Sequence, residues 1–244
     1  MDDSPSDLWA FLRRATSARI ALGRTGDALP TARVLEFALA HARARDAVHT
    51  ALDAELLSAA LADLSPLMVE SRCENRAIYL QRPDLGRRLA EESRAALRHG
   101  SYDCVIVLAD GLSAAAVQSQ GAELCRGLLH ASDWRFAPPV IARQARVALG
   151  DEIAEALGAE LVIVLIGERP GLSAFDSLGA YISFAPKPGE TRDAERNCVS
   201  NIRPGGLALP EAVRRISAIT ALARTLQRTG TELKEDAALA LAAQ

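Results

Sequence analysis

The chain has 244 residues, room for one large domain or for an ordinary domain with a small one. Its 28 Lys+Arg against 31 Asp+Glu leave a net charge of −3, which argues against nucleic acid as the main partner. Hydrophobic residues at 49% and charged residues at 24% are globular proportions, and pure apolar runs such as 161–166 are far too short to span a membrane. Aromatics reach only 4%, so the core has to come from Ala, Leu, Val and Ile.

The first sixty residues read as helical. Leu8, Trp9, Phe11 and Leu12 open a short amphipathic segment that fades by Leu22, and Gly23-Arg24-Thr25-Gly26-Asp27 is a turn. Thr31, after Pro30, suits the N-cap of a long helix over about 32–61, where Val34, Leu35, Ala38, Leu39, Val48, Leu52 and Leu56 recur at helical spacing. His41, Arg45, His49 and Asp53 follow one another at i+4 steps as a polar stripe. Two histidines so far apart, with Arg45 between them, make a poor metal pair, so the stripe reads as solvated or partner-facing.

From about Leu64 strands and helices alternate. A short strand is expected over 77–80 and a helix over 85–97, then an unbroken apolar run, 104–108, with the pattern of a strand covered on both faces. Asp110-Gly111-Leu112-Ser113 turns the chain into a helix over 114–129. Pro138-Pro139 precedes a strand over 140–147, interrupted by Arg143 and Arg146. A helix over 151–157 is stopped by Gly158, and 161–166 is a second fully buried strand. One more strand is expected over 180–184, and a final helix over 210–227 runs into an Ala-rich tail. The alternation predicts an α/β fold: a helical N-terminal arm over 1–63 packed against a Rossmann-like domain with a mostly parallel sheet over 64–244.

Ligands of open α/β sheets collect beyond the carboxyl ends of strands. Two ends stand out: 147–150, where a strand empties into a helix start, and Gly167-Glu168-Arg169-Pro170-Gly171. The glycines there let backbone approach a ligand and Glu168 can accept hydrogen bonds, although an ordinary Gly-Pro turn would look the same. The segment 186–206, PKPGETRDAERNCVSNIRPGG, reads as a long polar functional loop in which Asn197, Asn201, Arg192, Arg196 and Arg203 surround Cys198. Those arginines could lower the Cys198 pKa and make it a nucleophile, but none of His41, His49, His99 and His130 is local to act as base. A packing or ligand-contact role stands ahead of a catalytic one.

Cys73, Cys104, Cys125 and Cys198 show neither CxxC spacing nor a zinc-like grouping, and the start, Met1-Asp2-Asp3-Ser4-Pro5, is acidic. Free thiols in a reducing cytoplasm are therefore expected, with no metal site. There is no GxGxxG, no GxxxxGK[ST] and no GxSxG, nor the Asp-x-His-x-x-Gly segment that places a histidine under cobalt in some cobalamin proteins. The residues alone lead to an α/β ligand-binding domain, and a non-catalytic cobalamin- or nucleotide-binding module stays open.

Three blocks carry a family resemblance: LPTARVLEFALAHARARDAVH at 29–49, GERPGLSAFDSLGAY at 167–181 and TRDAERNCVSNIRPGG at 191–206. With ARIALGR at 18–24 and ARVALGDEIAEALGA at 145–159, they resemble the small (light) subunit of ethanolamine ammonia-lyase over nearly the whole chain. The resemblance implies an adenosylcobalamin-dependent lyase that converts ethanolamine to acetaldehyde and ammonia by a radical mechanism. It also implies a large subunit that holds the substrate, with the cofactor shared between the two chains. By the same resemblance Val147 is a packing contact to the cofactor, Glu168 an acceptor for its amide or hydroxyl groups, and Cys198 a further contact. No bond-breaking residue is implied in this chain. Some family members carry a longer N-terminal extension associated with bacterial microcompartments, and only a few residues precede Leu8-Trp9 here, which counts against packaging. Phe175 also stands where the resemblance leads one to expect a smaller or more rigid residue.

Overall fold

The structure, a computed structural model, describes residues 9–16 and 18–233. The start of the chain through Leu8 and the Ala-rich tail from Lys234 lie outside them. Two strands form the middle of the molecule, β2 (Tyr102–Ala109) and β4 (Ala159–Gly167), which are buried from Cys104 and from Leu161 to their carboxyl ends. They pair in parallel, Cys104 opposite Leu161 and Ala109 opposite Ile166. Both are apolar without alternation because helices cover both faces of the sheet.

Outside β2 lie β3 (Val140–Arg143) and then β1 (Leu67–Glu70), both parallel to their neighbours. Outside β4 the hairpin partner β5 (Leu178–Phe184) and the edge strand β6 (Asn197–Ile202) run antiparallel. The six-stranded sheet therefore has the order β1-β3-β2-β4-β5-β6 and is mixed, parallel on one side of β4 and antiparallel on the other. One face packs on α3 (Ala54–Ala60), α6 (Ala114–His130) and α8 (Leu209–Leu226), and the other on α7 (Leu149–Leu157) and α5 (Glu91–Ala96).

Ahead of the sheet stand α1 (Ala10–Ala15) and α2 (Thr31–His49). Of α2 only Ala47 is buried, so Val34, Leu35, Phe37 and Leu39 are left uncovered by the described residues. His41, Arg45 and His49 are exposed too.

Several predicted elements differ, each for a local reason. The helix expected over 32–61 breaks after His49, and Asp53 is the cap of α3, its Oδ1 accepting from Leu56 N at 2.9 Å. A capping aspartate offers backbone N–H groups an alternative partner and ends the run. The segment 77–80 is not a strand but part of α4 (Arg76–Gln81), capped by Asn75 and turning Tyr79 into the core. The strand in that region is β1, which escapes notice because only Val69 of its four residues is buried. The helix expected over 85–97 is a single 3-10 turn at Leu85–Arg87 followed by α5, since Leu89 is extended and its N–H is taken by Glu152 Oε2 at 2.8 Å. Residues 186–206 are not one loop, because β6 occupies 197–202.

The buried pair of Arg196 and Asp151 fastens β6 to α7. Arg196 Nη1 and Nη2 each donate to an Asp151 carboxylate oxygen at 2.7 Å, and Nη1 also reaches Ser183 Oγ at 2.8 Å. The side chains are 2% and 1% exposed, so neither charge has water to fall back on. An arginine cannot shed its proton, and Asp151→Ala should therefore destabilise the fold by about 3–5 kcal/mol. Urea unfolding monitored by circular dichroism measures this, and a loss below about 1 kcal/mol would show the pair to be inconsequential.

Candidate functional site

The site is built outward from the carboxyl end of β2. Asp110 follows that strand, buried, and accepts from the backbone N–H groups of Gln144 and Ala145 at 2.9 Å each. Arg76 Nη1 stands 3.3 Å from the same carboxylate and also donates to Gly111 O at 2.8 Å, while Arg76 Nε reaches Val48 O of α2 at 2.8 Å. Burial raises the Asp110 pKa against the opposing pull of these donors. Capture by Asp110 ends β3 at Arg143, four residues short of the expected 147, and bends 144–148 over the end of β2. Gln144 takes a left-handed φ of 56° to make that bend.

Gly111 and Gly167 let the β2 turn and the end of β4 touch. A Cβ on Gly111 would overlap the Gly167 carbonyl, and one on Gly167 would overlap the Ser113 carbonyl. Behind this floor Glu168 lies across β5. Its Oε2 accepts from Ser177 Oγ at 2.5 Å and from Asn201 N at 3.2 Å. Its Oε1 has no hydrogen-bond partner among the described residues and passes over Gly179, where a methyl group would stand 3.1 Å from it. Glu168 is thus a fixed carboxylate with one oxygen left to accept.

These elements surround an open cleft of about 480 Å³ whose walls include Tyr79, Gly111, Arg146, Val147, Glu168 and Tyr181. A second hollow of about 330 Å³ shares Arg146, Val147 and Tyr181 with it and adds Arg87 and Asp193. The cleft lies beyond the carboxyl ends of β2, β3 and β4, where an α/β sheet offers a ligand the most exposed loops. A further hollow of about 560 Å³, at the far end of β5 near Lys187 and Arg228, contains none of Val147, Glu168 and Cys198.

Val147 and Glu168 therefore share one cleft. Cys198 borders it by register, since it is paired across the sheet with Tyr181. Its thiol is raised, first by desolvation, with Glu168 adding to this and the neighbouring Tyr181 hydroxyl opposing it. Two of the three arginines expected to draw Cys198 down are engaged elsewhere: Arg196 on Asp151, and Arg203 on Asn201 Oδ1 at 2.9 Å. Asn197 is likewise turned to the carbonyls of Gly230 and Leu233. A ready thiolate is thus ruled against by the surroundings. Phe175 contributes its carbonyl, which accepts from Ser113 Oγ at 2.7 Å, so the side chain is not what that turn relies on.

Two wall residues escape sequence reasoning. Arg146 left a signal as a basic interruption of an apolar stretch. Tyr181 left none beyond its rarity, because only the pairing of β4, β5 and β6 sets it between Glu168 and Cys198. No group of three His, Cys, Asp or Glu residues that could hold a metal ion occurs among the described residues.

A fixed carboxylate, an aromatic hydroxyl and basic side chains thus line an open cleft at the strand ends of a mixed α/β protein. The chain belongs to the ethanolamine ammonia-lyase light chain (EutC) family, whose pattern matches residues 6–234. A protein of Rhodococcus erythropolis named ethanolamine ammonia-lyase small subunit is 48% identical over 235 residues, 94% of this chain and 90% of its own. Proteins of the same name from Xanthomonas campestris pv. campestris (strain B100) and Pseudomonas syringae pv. tomato are 48% and 47% identical. These alignments cover 96% and 97% of this chain and 89% and 86% of the relatives.

Cys73, Cys104 and Cys125 are buried, so Cys198 is the thiol a reagent reaches in the folded chain. Its alkylation rate should rise with pH to a midpoint above the ~8.5 of a free cysteine. Iodoacetamide labelling followed by mass spectrometry across pH 6 to 10 reads the midpoint, and a value near 7 would contradict the desolvated environment.

Proposed function

We propose that this chain is the small subunit of an adenosylcobalamin-dependent ethanolamine ammonia-lyase, which converts ethanolamine to acetaldehyde and ammonia together with a large subunit that holds the substrate. The observation that carries the reading is identity of 47–48% along almost the full length of relatives with that subunit name. The cleft is chemically suited to the cofactor. A corrinoid is a broad apolar plate rimmed with amides, and Val147 and the Tyr181 ring supply packing surface beside the free Oε1 of Glu168. At about 480 Å³ the cleft is of a size for a drug-like molecule and smaller than a corrinoid, which supports a site completed by a second chain.

When bound, adenosylcobalamin supplies the radical chemistry through homolysis of its cobalt–carbon bond. This chain binds and orients. Val147 packs on the cofactor, Glu168 accepts a hydrogen bond from one of its amide or hydroxyl groups, and Cys198 adds a neutral thiol contact. Together they keep water from one side of the site. None of them exchanges a proton with substrate. The reading takes residues 64–244 as a Rossmann-like domain and 1–63 as a helical arm. The four parallel strands and the uncovered apolar side chains of α2 support that division. Four free thiols suit a cytoplasmic enzyme. A net charge of −3 gives no reason to add nucleic acid as a partner.

The decisive experiment combines this chain with the large subunit from the same genome and assays acetaldehyde, omitting each chain and adenosylcobalamin in turn. Turnover should require all three. A cofactor spectrum perturbed by this chain alone, with no turnover in the mixture, would favour a stand-alone cobalamin- or nucleotide-binding module. Folded chains giving neither signal would overturn the assignment.

Glu168→Ala removes one charge-assisted hydrogen bond and should weaken cofactor binding about tenfold or more while circular dichroism stays unchanged. A spectrophotometric titration of the complex that matches the wild type would remove Glu168 from the site.

A further inference from the structure

We propose that Arg146 and Arg169 form a subsite for the single phosphodiester of a corrinoid's nucleotide tail, and so select complete cobalamins over tail-less ones. The inference rests on the cofactor reading above. Both arginines line the cleft that holds Val147 and Glu168. Neither has a carboxylate partner among the described residues, whereas the nearby Arg76 and Arg196 are paired with Asp110 and Asp151. Arg169 is exposed and makes no side-chain hydrogen bond among the described residues.

Arg146 is positioned yet under-used. Its backbone N–H donates to Gly86 O at 2.8 Å, and its guanidinium lies 4.3 Å from the centre of the Tyr79 ring. Stacking of that kind fixes the plane of an arginine and leaves its edge to a planar or tetrahedral oxyanion. Only Nη2 has an acceptor among the described residues, Tyr79 O at 3.4 Å, and Nε is buried with none. A bond of that length is weak. The side chain is thus held by a ring more than by acceptors, and apart from Nη2 its donors have no acceptor among the described residues.

Charge points to an anion. Glu168 is the carboxylate lining the same cleft, and one of its oxygens is already satisfied by Ser177 and Asn201. Two guanidiniums against one partly satisfied carboxylate leave the cleft with an excess of one positive charge. A complete cobalamin carries one phosphodiester, with one negative charge, and its other polar groups are neutral amides and hydroxyls. Arginine prefers phosphate oxygens over neutral acceptors because the bonds are charge-assisted.

The test uses the assembled two-subunit complex and reads binding from corrinoid spectra, without turnover. Cyanocobalamin is compared with dicyanocobinamide, which has the corrin ring and its amides but no nucleotide tail and no phosphate. Arg146→Gln and Arg169→Gln should each weaken cyanocobalamin binding about tenfold or more and leave cobinamide binding unchanged. Arg169 is exposed and has no side-chain partner among the described residues, so its variant keeps the fold even if replacement of Arg146 does not. Equal losses for both ligands would assign the arginines to the corrin ring and overturn the phosphodiester subsite, as would no loss in either variant. A wild-type complex that binds neither corrinoid would overturn the functional reading itself, and this inference with it.

Discussion

Asp110 is the constraint on which the site depends. A buried carboxylate at the end of β2 must be satisfied, and it is satisfied by reaching sideways to the N–H groups of Gln144 and Ala145 and to Arg76. Those contacts end β3 early and hold Gln144 at a φ of 56°, which a non-glycine residue rarely adopts unaided. They also set Arg146 and Val147 at the rim of the cleft. Through Arg76 the same carboxylate is linked to the last turn of α2 at Val48 O. One acid thus coordinates two strand ends, a loop and two helices.

The opposite wall has a different origin. Once the parallel strands end with β4, the chain turns back as β5 and again as β6, and this antiparallel pair brings Tyr181 beside Cys198 and places Asn201 N on Glu168. The Arg196–Asp151 pair then fastens β6 to α7 on the other face of the sheet. Such a pair contributes little net stability against a well-packed apolar alternative, but removing either partner leaves a buried charge unanswered. The cleft is consequently a junction between a parallel and an antiparallel half-sheet, each fixed by a buried carboxylate. One wall carries the Glu168 carboxylate, engaged at Oε2, with Arg169 beside it, and the other carries Arg146.

The most legible elements were those whose environment leaves a simple mark on composition. Strands 104–108 and 161–166 are apolar throughout because both faces are covered, and α6, α7 and α8 follow at the expected places. Edge elements were harder to read. β6 buries only Val199 and Ile202, so its polar residues read as loop, and β1 buries only Val69. Conversely, the apolar cluster around Tyr79 looked like a strand, although Asn75 caps it as a helix. In each case a hydrogen bond to a side chain, or exposure at a sheet edge, overrode the local pattern.

By itself the sequence determined the α/β alternation, the two central strands and, through its long peculiar blocks, the family. These are properties of consecutive residues, since periodicity, turn chemistry and motif content need no knowledge of distant neighbours. Only the tertiary structure decided that Val147, Glu168 and Tyr181 face one cleft with Cys198 at its border. It also decided that Arg196 serves Asp151 rather than Cys198, and that Arg146 stands on a tyrosine with no carboxylate partner among the described residues. Those are relations between segments tens of residues apart. They are set by which buried charge finds which partner, and a carboxylate such as Asp110 or Asp151 carries no mark in the sequence of the arginine or backbone amide that will answer it.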